Sequence, residues 1–388
     1  MTLRIGLFGL LGAGNLGNDG SLAAVVTHLR AAHPDARLDA LCGGPAEVTA
    51  AFGIPAEPLH SYRGEYRTVA GVTAALGKVW GKVVDAVRTA RWVRRHDVVI
   101  VPGMGVLEAT LPLRPWGFPY SLFLLCLFGR VLRTRVALVG VGASSAHGAT
   151  RWLVAAAARL ATYRSYRDTL SRDALAAMGV DTSADPVHPD LAFALPVPHS
   201  VVAPGTVGVG VMAYRGGNDD RRHAERIYQS YVDAMTGFVR WLVEQGHSVR
   251  LFTGDRVDDA VVEAITAAVP GPVARAQVSS LDDLLGQLAA VETVVATRYH
   301  NVLCALKVAT PTLSVGYAAK NDVLMAEFGV GEFCESAKEI DTARLIARFT
   351  ELERESARVR ELLVARNAAV TRQVADQLGA LSTVLEAR

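Results

Sequence analysis

The chain has 388 residues, of which 51% are hydrophobic and 20% are charged, and its formal net charge is +2 at pH 7. This length predicts two domains, the composition excludes a disordered chain, and the charge argues against non-specific nucleic-acid binding. The four cysteines are far apart and form no CxxC pair, so they predict reduced thiols in a cytoplasmic protein rather than a disulfide framework.

The first half of the chain alternates apolar strands with helices. Strands are predicted at residues 3–10, 37–42, 97–101, 135–139 and 163–167, and helices at residues 20–32, 68–95, 152–162 and 171–178. Such alternation is typical of a parallel sheet with helices on both faces. Residues 1–196 are therefore predicted to form an N-terminal Rossmann-like domain, which begins with a strand and not with a signal peptide.

The same pattern restarts after a proline-rich linker, residues 197–205. Strands are predicted at residues 206–212, 248–252, 293–297 and 312–316, and helices at residues 224–245, 258–269, 281–289 and 301–308. They predict a second Rossmann-like domain, residues 206–340, followed by a helical tail, residues 341–388. The predicted fold class is thus α/β, with two doubly wound domains that face a cleft, and ligands are expected at the carboxyl ends of the strands.

A glycine loop follows the first strand. Residues 12–17 match GxGxxG, and Asp39 lies about twenty residues further on, as in a dinucleotide fingerprint. However, Asp39 falls inside its predicted strand, and the loop continues with the polar residues Asn15, Asn18 and Asp19. Three interpretations stay open: an NAD site, a tight turn without a ligand, or a loop that offers polar groups to a sugar. Asn18 or Asp19 is the expected N-cap of the next helix.

The segment from Arg298 to Asn301 follows an apolar strand and opens a helix. A helix N-terminus is suited to an anion, Arg298 adds a forked donor for phosphate or carboxylate, and His300 can exchange a proton near neutral pH. Lys320 follows the next strand and should lie close to this loop. The alternatives are that Arg298 pairs with a carboxylate, that His300 is a satisfied buried histidine, and that Lys320 is a surface lysine.

Other charged residues also follow predicted strands. Arg215 could bring a further cation to the cleft, and Arg167 could bind a carboxylate there. Asp168 and Asp190 are candidates for a catalytic base or for a structural anchor, and Asp168 could equally cap the helix that follows it. The histidines are scattered and no metal-ligand motif is present, so no metal is predicted.

Taken in chain order, these motifs resemble one known family, the polysaccharide pyruvyl transferases. The motifs are Asn15-Leu16-Gly17, Tyr166-Arg167-Asp168, His188-Pro189-Asp190, Thr297-Arg298-Tyr299-His300, and Gly316-Tyr317 with Lys320. The resemblance implies a GT-B-like fold and an enzyme that transfers the enolpyruvyl unit of phosphoenolpyruvate to sugar hydroxyls. The expected product is a pyruvate ketal, phosphate is released, and no cofactor is implied.

The resemblance also implies roles for individual residues. Arg298 and Lys320 would bind phosphoenolpyruvate, with Arg215 and Arg167 as weaker additions, and His300 would be the acid or a phosphate ligand.

The N-terminal domain would hold the acceptor sugar. Because the glycine loop offers polar groups to a sugar, we interpret Asn15 and Asn18 as ligands of the acceptor, and because the reaction needs a base, we interpret Asp190 or Asp19 as that base. The family's loop commonly reads N-x-G-D-E, whereas this chain has Asn18 at the first acidic position, a substitution that bears on the acceptor and on the loop's catalytic role.

Alternatives to this function are a GT-B glycosyltransferase that uses a nucleotide sugar, an inactive sugar-binding relative and an NAD-dependent oxidoreductase. The acceptor could be lipid-linked, because the apolar stretch 116–128 and the arginines Arg130, Arg133 and Arg135 could dock on the inner face of the cell membrane. The arginines of residues 88–95 could also face lipid. The alternatives are a buried helix with ordinary flanking charges and a solvated helix face. The apolar stretch is too short to predict a transmembrane helix.

Overall fold

The computed structural model of the protein describes residues 2–61, 72–105, 107 and 115–386. The first residues of the predicted helix 68–95 and the end of the predicted tail lie outside the described residues. The chain divides into two compact units. Unit 1 comprises Met1–Gly14, Ser21–Leu191 and Gln373–Arg388, and unit 2 comprises Asn15–Gly20 and Ala192–Arg372. The domain boundaries given above stay predictions.

Unit 1 is built on a parallel sheet of six strands. The strands are β1 (Arg4–Gly9), β2 (Arg37–Cys42), β3 (Ala56–Pro58), β4 (Val98–Pro102), β5 (Arg135–Val141) and β6 (Tyr163–Tyr166), in the order β3-β2-β1-β4-β5-β6. The helices between them are α1 (Leu16–Ala32), α2 (Pro45–Phe52), α3 (Val72–Val93), α4 (Phe118–Leu132), α5 (Gly148–Leu160) and α6 (Thr169–Ala177). The central strand β4 is buried along its whole length, as its unbroken apolar sequence predicts.

Unit 2 repeats this plan. Its strands are β7 (Thr206–Gly210), β8 (Ser248–Phe252), β9 (Val273–Arg275), β10 (Thr293–Ala296), β11 (Thr312–Gly316) and β12 (Cys334–Ser336), in the order β12-β11-β10-β7-β8-β9. Its helices are α7 (Ala224–Glu244), α8 (Asp259–Ala268), α9 (Leu281–Ala289), α10 (Tyr299–Lys307) and α11 (Ala319–Glu327). Two further helices, α12 (Thr342–Arg354) and α13 (Ser356–Glu386), end the chain.

Both sheets have the strand order of a doubly wound fold. In each, the first and fourth strands lie side by side, and the chain leaves them toward opposite edges of the sheet. The crevice outside the carboxyl ends of these two strands is where such sheets bind ligands. In unit 2 this point lies after β7 and β10, and the predicted Arg298 loop follows β10 directly. The predicted α/β class with two doubly wound sheets and a helical C-terminal region is confirmed.

Helix α1 begins earlier than predicted. The side-chain oxygen of Asn15 accepts hydrogen bonds from the backbone N–H groups of Gly17 (3.1 Å) and Asn18 (3.2 Å). An N-cap satisfies the N–H groups of the first turn in this way. Asn15, and not Asn18 or Asp19, therefore caps the helix, and the end of the glycine loop forms its first turn.

The apolar stretch 116–128 contributes most of α4. The helix buries Leu122, Leu125 and Cys126 completely. Packing inside unit 1 therefore explains why these residues of the stretch are apolar. Nearby, Arg135 donates to the backbone oxygens of Val384 (2.6 Å) and Leu385 (3.1 Å) at the end of α13. Arg135 is thus held by the end of α13, and docking of this stretch on a membrane stays a prediction. Across the described ranges, no helix has the length and apolar character needed to span a bilayer.

Lys307, in the last turn of α10, is a buried cation that anchors this helix. Its Nζ donates to the backbone oxygen of Phe193 (2.7 Å), and burial lowers the pKa of its ammonium from 10.5 to about 8. Between these two pKa values the unfolded chain binds more protons than the native protein. The contribution of Lys307 to the free energy of unfolding therefore rises as the pH rises through this window.

Substitution of Lys307 by methionine tests this pH dependence. We expect the midpoint of thermal unfolding of the wild type, minus that of Lys307→Met, to increase between pH 7.5 and 9.5 by the equivalent of about 1–2 kcal/mol. The lost hydrogen bond to Phe193 adds an offset that does not vary with pH. A difference that stays constant across this range would show that Lys307 keeps its ordinary pKa.

Candidate functional site

Arg298 is the N-cap residue of α10, at the carboxyl end of β10. Its guanidinium holds the carboxylate of Asp258 with two hydrogen bonds, from Nε (2.8 Å) and from Nη2 (2.7 Å). Asp258 is completely buried and also accepts from the backbone N–H of Ala213 (2.9 Å). The interpretation that Arg298 pairs with a carboxylate is confirmed. A guanidinium carries more N–H donors than Asp258 uses, so ligand binding by the same side chain is still compatible with this pair.

Asp258 keeps Arg298 both charged and oriented. Burial by itself would lower the pKa of Arg298, but the hydrogen bonds and the charge of Asp258 outweigh burial and raise it. Asp258 was not predicted as a site residue. In the sequence it is one acid at the start of a predicted helix, where an acid ordinarily serves the helix N-terminus.

A buried network fixes the strand ends beside this pair. The Tyr231 hydroxyl and Thr297 Oγ1 are 2.6 Å apart, and the Tyr231 oxygen accepts from the backbone N–H of Met212 (3.2 Å). The side-chain amide of Asn321 donates to the backbone oxygen of Thr297 (3.2 Å). These bonds join the segments that follow β7 and β10 to helices α7 and α11. Neither Tyr231 nor Asn321 was predicted as a site residue, because each lies within a helix and only the fold reveals its partner.

His300 lies against the end of the glycine loop. A methyl group built on Gly17 would lie 2.0 Å from Cε1 and 2.1 Å from Nδ1 of the imidazole. Gly17 and His300 are the second residues of α1 and α10, so the first turns of these two helices are in contact. A Cβ on Gly20 would similarly lie 2.2 Å from a methyl carbon of Leu281, at the start of α9.

Lys320 lies beside the start of α10, as its position after the next strand predicts. It is the second residue of α11, and its Nζ is 5.4 Å from the ring centres of both Tyr299 and Tyr317. The start of α10 therefore contacts the start of α1 through His300 and lies beside the start of α11 through Tyr299. The N-terminus of a helix favours anions, and here it adds to the charge of two cationic side chains, Arg298 and Lys320. We call these three helix N-termini, together with Arg298, His300 and Lys320, the Arg298 cluster.

The remaining polar residues of the glycine loop are attached to unit 2. Asn15 forms an antiparallel backbone bridge with Asp255, in the loop that follows β8. Asn18 and Asp19 lie half-buried in the first turn of α1. The structure thus brings Asn15, Asn18 and Asp19 to the Arg298 cluster, where their roles stay predictions.

Arg215 is held at the surface of unit 2. Its side chain is 50% exposed, pairs with Glu225 (2.5 Å from Nη1 to Oε2), and lies 4.2 Å from the ring centre of Tyr228. The contacts of Arg215 are thus with helix α7 and not with Arg298 or His300.

Arg167 and Asp190 form a buried ion pair in unit 1, with 3.2 Å between Nη1 and Oδ2. Asp168 contributes a second carboxylate, 3.7 Å from Arg167 Nε. The carboxylate of Asp168 also accepts from the backbone N–H of Ser171 (2.7 Å), so its interpretation as the cap of α6 is confirmed. The arrangement supplies a structural reason for all three residues; the ligand-binding role of Arg167 and the base role of Asp190 stay predictions.

The acidic residue of the dinucleotide pattern has other partners. Asp39 accepts a hydrogen bond from the indole N–H of Trp92 (2.7 Å) and lies 3.0 Å from Nε2 of His96. In a dinucleotide site this carboxylate would instead bind the ribose. Gly12 has a positive φ of 68°, and a Cβ there would lie 2.3 Å from the backbone oxygen of Gly44, so the loop's geometry itself requires a glycine. These contacts favour a polar turn over an NAD site.

Within the described residues, no group of three or more His, Cys, Asp or Glu side chains has the arrangement to hold a metal ion.

Known structures of similar fold include UDP-N-acetylglucosamine 2-epimerases and a protein crystallised with UDP-glucose. A Listeria monocytogenes protein assigned as a UDP-N-acetylglucosamine 2-epimerase has a TM-score of 0.66 and 13% identity, with 100% of this chain and 97% of that chain covered. The UDP-GlcNAc 2-epimerase of Neisseria meningitidis, bound to UDP-GlcNAc, has a TM-score of 0.60 and 10% identity, with 97% and 99% covered. Anabaena HepE in complex with UDP-glucose has a TM-score of 0.59 and 11% identity, with 97% and 100% covered. At this identity the likeness establishes the GT-B-like fold alone.

The family match is more specific. No curated protein matches the chain. A family model for polysaccharide pyruvyl transferases matches residues 15–318, which include Asn15 to Gly17 at the end of the glycine loop, Arg298 and His300. Because this match covers most of the chain, the protein belongs to the polysaccharide pyruvyl transferase family.

Proposed function

We propose that the protein transfers the enolpyruvyl unit of phosphoenolpyruvate to hydroxyl groups of a sugar, forms a pyruvate ketal and releases phosphate. Family membership supports the reaction class. The observation that carries the proposal is the Arg298 cluster, in which two cations and a histidine meet at the N-termini of three helices. Phosphoenolpyruvate carries a phosphate and a carboxylate, and such anions are bound by cations and by the N–H groups of helix N-termini.

In the proposed reaction, His300 delivers a proton to the methylene carbon of phosphoenolpyruvate, which becomes a methyl group and leaves C2 electrophilic. A sugar hydroxyl attacks C2 while a base takes its proton. The C2–O bond to phosphate then breaks, a second hydroxyl forms its bond to C2, and its proton passes to the departing phosphate. Arg298 and Lys320 stabilise the phosphate as it gains charge.

Asp19 is our preferred base, and its position supports this choice. It follows Gly17 by two residues in the first turn of α1, and Gly17 contacts His300. Asp190 is instead buried and paired with Arg167, so it would have to leave this cation before it could accept a proton from a hydroxyl. Asn15 and Asn18 remain our proposed ligands for the acceptor sugar.

Ligand-dependent stabilisation tests the donor substrate. The midpoint of thermal unfolding is measured with millimolar phosphoenolpyruvate, UDP, GDP or NAD, each added separately. A ligand that binds only the native state stabilises it by mass action, by about 1.4 kcal/mol at ten times its Kd, which raises the midpoint by a few degrees. We expect this shift with phosphoenolpyruvate and expect Arg298→Ala to abolish it.

Arg215→Ala is the matched control, because this arginine is held by Glu225 and Tyr228. We expect this variant to keep the shift. UDP and GDP also test the second candidate, a glycosyltransferase, which the nucleotide sugars bound to HepE and to the Neisseria epimerase bring into consideration. A shift with a nucleotide and none with phosphoenolpyruvate would replace our proposal by that function.

A further inference from the structure

Three of the five tryptophans of the chain are strongly exposed, and all three lie in one helical layer of unit 1. Trp80 is 69% exposed on α3, Trp116 is 61% exposed just before α4, and Trp152 is 61% exposed on α5. Exposed tryptophans are expensive to leave in water, and a group of them marks an interaction surface.

Contacts between these helices make the tryptophans part of one surface, because α4 packs against both α3 and α5. The ring of Trp116 is 6.0 Å from that of Tyr120, and the ring of Phe123 is 5.2 Å from that of Trp152. Nζ of Lys82, on α3, is 5.9 Å from the ring centre of Tyr120. We call this surface the aromatic face; its members are Trp80, Val83, Val87, Trp116, Tyr120, Phe123 and Trp152.

The periodicity of α3 shows that its apolar outer side is not a core face. Residues 81, 85 and 89 are buried, whereas Trp80, Val83 and Val87 lie on the opposite side and are 69%, 50% and 45% exposed. The same exposed side continues to the cations Arg91 and Arg94. A helix with one side in the protein core and a second apolar side in solvent has more apolar surface than folding alone requires.

The segment that carries α4 and α5 is basic. Residues 109–167 contain no aspartate or glutamate but eight arginines, which are Arg114, Arg130, Arg133, Arg135, Arg151, Arg159, Arg164 and Arg167. Several of these are used inside unit 1, but Arg130, Arg133 and Arg151 are exposed on α4, at its end and on α5. The acid of α3, Asp85, is buried and accepts from the backbone N–H of Ser61 (2.7 Å). The chain is close to neutral overall, so this layer is a local concentration of positive charge.

We infer that the aromatic face docks on the surface of an anionic lipid bilayer. Tryptophan and tyrosine rings settle at the level of the headgroups, and arginine side chains bind anionic headgroups while their stems lie along apolar surface. A second copy of the chain is a poorer partner, because a symmetric contact through this face would place arginines against arginines. Lipid binding by the aromatic face is measured without the transfer reaction, so it does not depend on the proposed function.

Vesicle binding tests the inference with the full chain. The protein is sedimented with vesicles of phosphatidylcholine alone and with vesicles that contain about one third phosphatidylglycerol. We expect binding to the anionic vesicles only, decreasing with added salt, together with a blue shift of tryptophan fluorescence. We expect the triple variant Trp80→Ala, Trp116→Ala, Trp152→Ala to lose this binding. The double variant Arg130→Gln, Arg133→Gln should weaken it about 25-fold, since each cation near such a surface contributes about fivefold.

The matched control removes exposed apolar side chains elsewhere, in the triple variant Val201→Ala, Val257→Ala, Val364→Ala. It should bind vesicles like the wild type. Thermal unfolding midpoints establish that each variant is folded, and the arginine variant tests the inference independently if the tryptophan variant does not fold. The inference would be overturned if the wild type did not bind anionic vesicles. It would also be overturned if the tryptophan variant and the arginine variant both bound them as strongly as the wild type. A dimer in lipid-free solution that the tryptophan variant abolishes would also overturn it, and would identify the occupant as a second copy.

Discussion

Replacing His300 with alanine is expected to lower kcat for phosphoenolpyruvate-dependent phosphate release by about 10²- to 10⁴-fold, the usual contribution of a general acid. The imidazole is half-buried in the first turn of α10, beside Arg298 and against Gly17. It is outside the apolar core of unit 2, so we expect the thermal unfolding midpoint to stay near that of the wild type. Phosphate release is measured with a sugar acceptor that supports turnover by the wild type.

His300→Gln separates the two roles that are open to this residue. Glutamine can still donate a hydrogen bond to phosphate, but it cannot deliver a proton near neutral pH. If His300 is the acid, the variant loses kcat and keeps the stabilisation by phosphoenolpyruvate. Wild-type kcat in His300→Ala would refute any catalytic role, and wild-type kcat in His300→Gln would leave only a phosphate-binding role.

Replacing Gly17 with alanine is expected to lower kcat by about 10²-fold, although Gly17 has no reactive group. The new Cβ would lie between 2.0 and 2.4 Å from three atoms of the His300 ring, so the imidazole must move. A displacement of about 1 Å at a reacting group can cost that much. Alanine is favoured over glycine in a helix by about 1 kcal/mol, which offsets part of any strain in α1.

Gly379→Ala is the control for this substitution. Gly379 lies in helix α13, and a Cβ there meets no atom within 4 Å. It should gain the same helical stabilisation and keep wild-type kcat. The double variant Gly17→Ala, His300→Ala should be no slower than His300→Ala, because both changes act through one imidazole. Full activity in Gly17→Ala would show that the position of this ring is not critical.

Most helices and strands could be predicted from the sequence because strong local signals mark their ends. Strands β2, β8 and β11 have their predicted limits, since Gly43 follows β2, Thr253 follows β8, and Gly316 ends the apolar run of β11. The edge strands β3, β9 and β12 were missed. Each has three residues, which is too short for any periodicity to show, and each exists only because a neighbouring strand offers its backbone groups.

In the site, too, features with a local signal in the sequence could be predicted, whereas contacts between distant residues could not. The proximity of Arg298 and Lys320 was predictable, because β10 and β11 are adjacent parallel strands that end at one edge. The contact of Gly17 with His300 was not, because nothing local records a meeting of residues so far apart in the chain. For Arg215 and Arg167 the sequence shows a cation after a strand, whereas the partner carboxylate, Glu225 or Asp190, decides where the guanidinium goes.

Helix α13 determines when, during synthesis, each unit has all the residues that it needs to fold. It starts in unit 2, and its residues from Gln373 onward belong to unit 1. There the imidazole of His28 is 2.9 Å from the hydroxyl of Ser382, and Arg135 binds the backbone oxygen of Val384. The ribosome therefore makes the sheet of unit 1 early, but makes the part of α13 that contacts it only after all of unit 2. Before these residues exist, unit 1 lacks the contacts of His28 and Arg135 with α13, whereas every residue of unit 2 already precedes them in the chain.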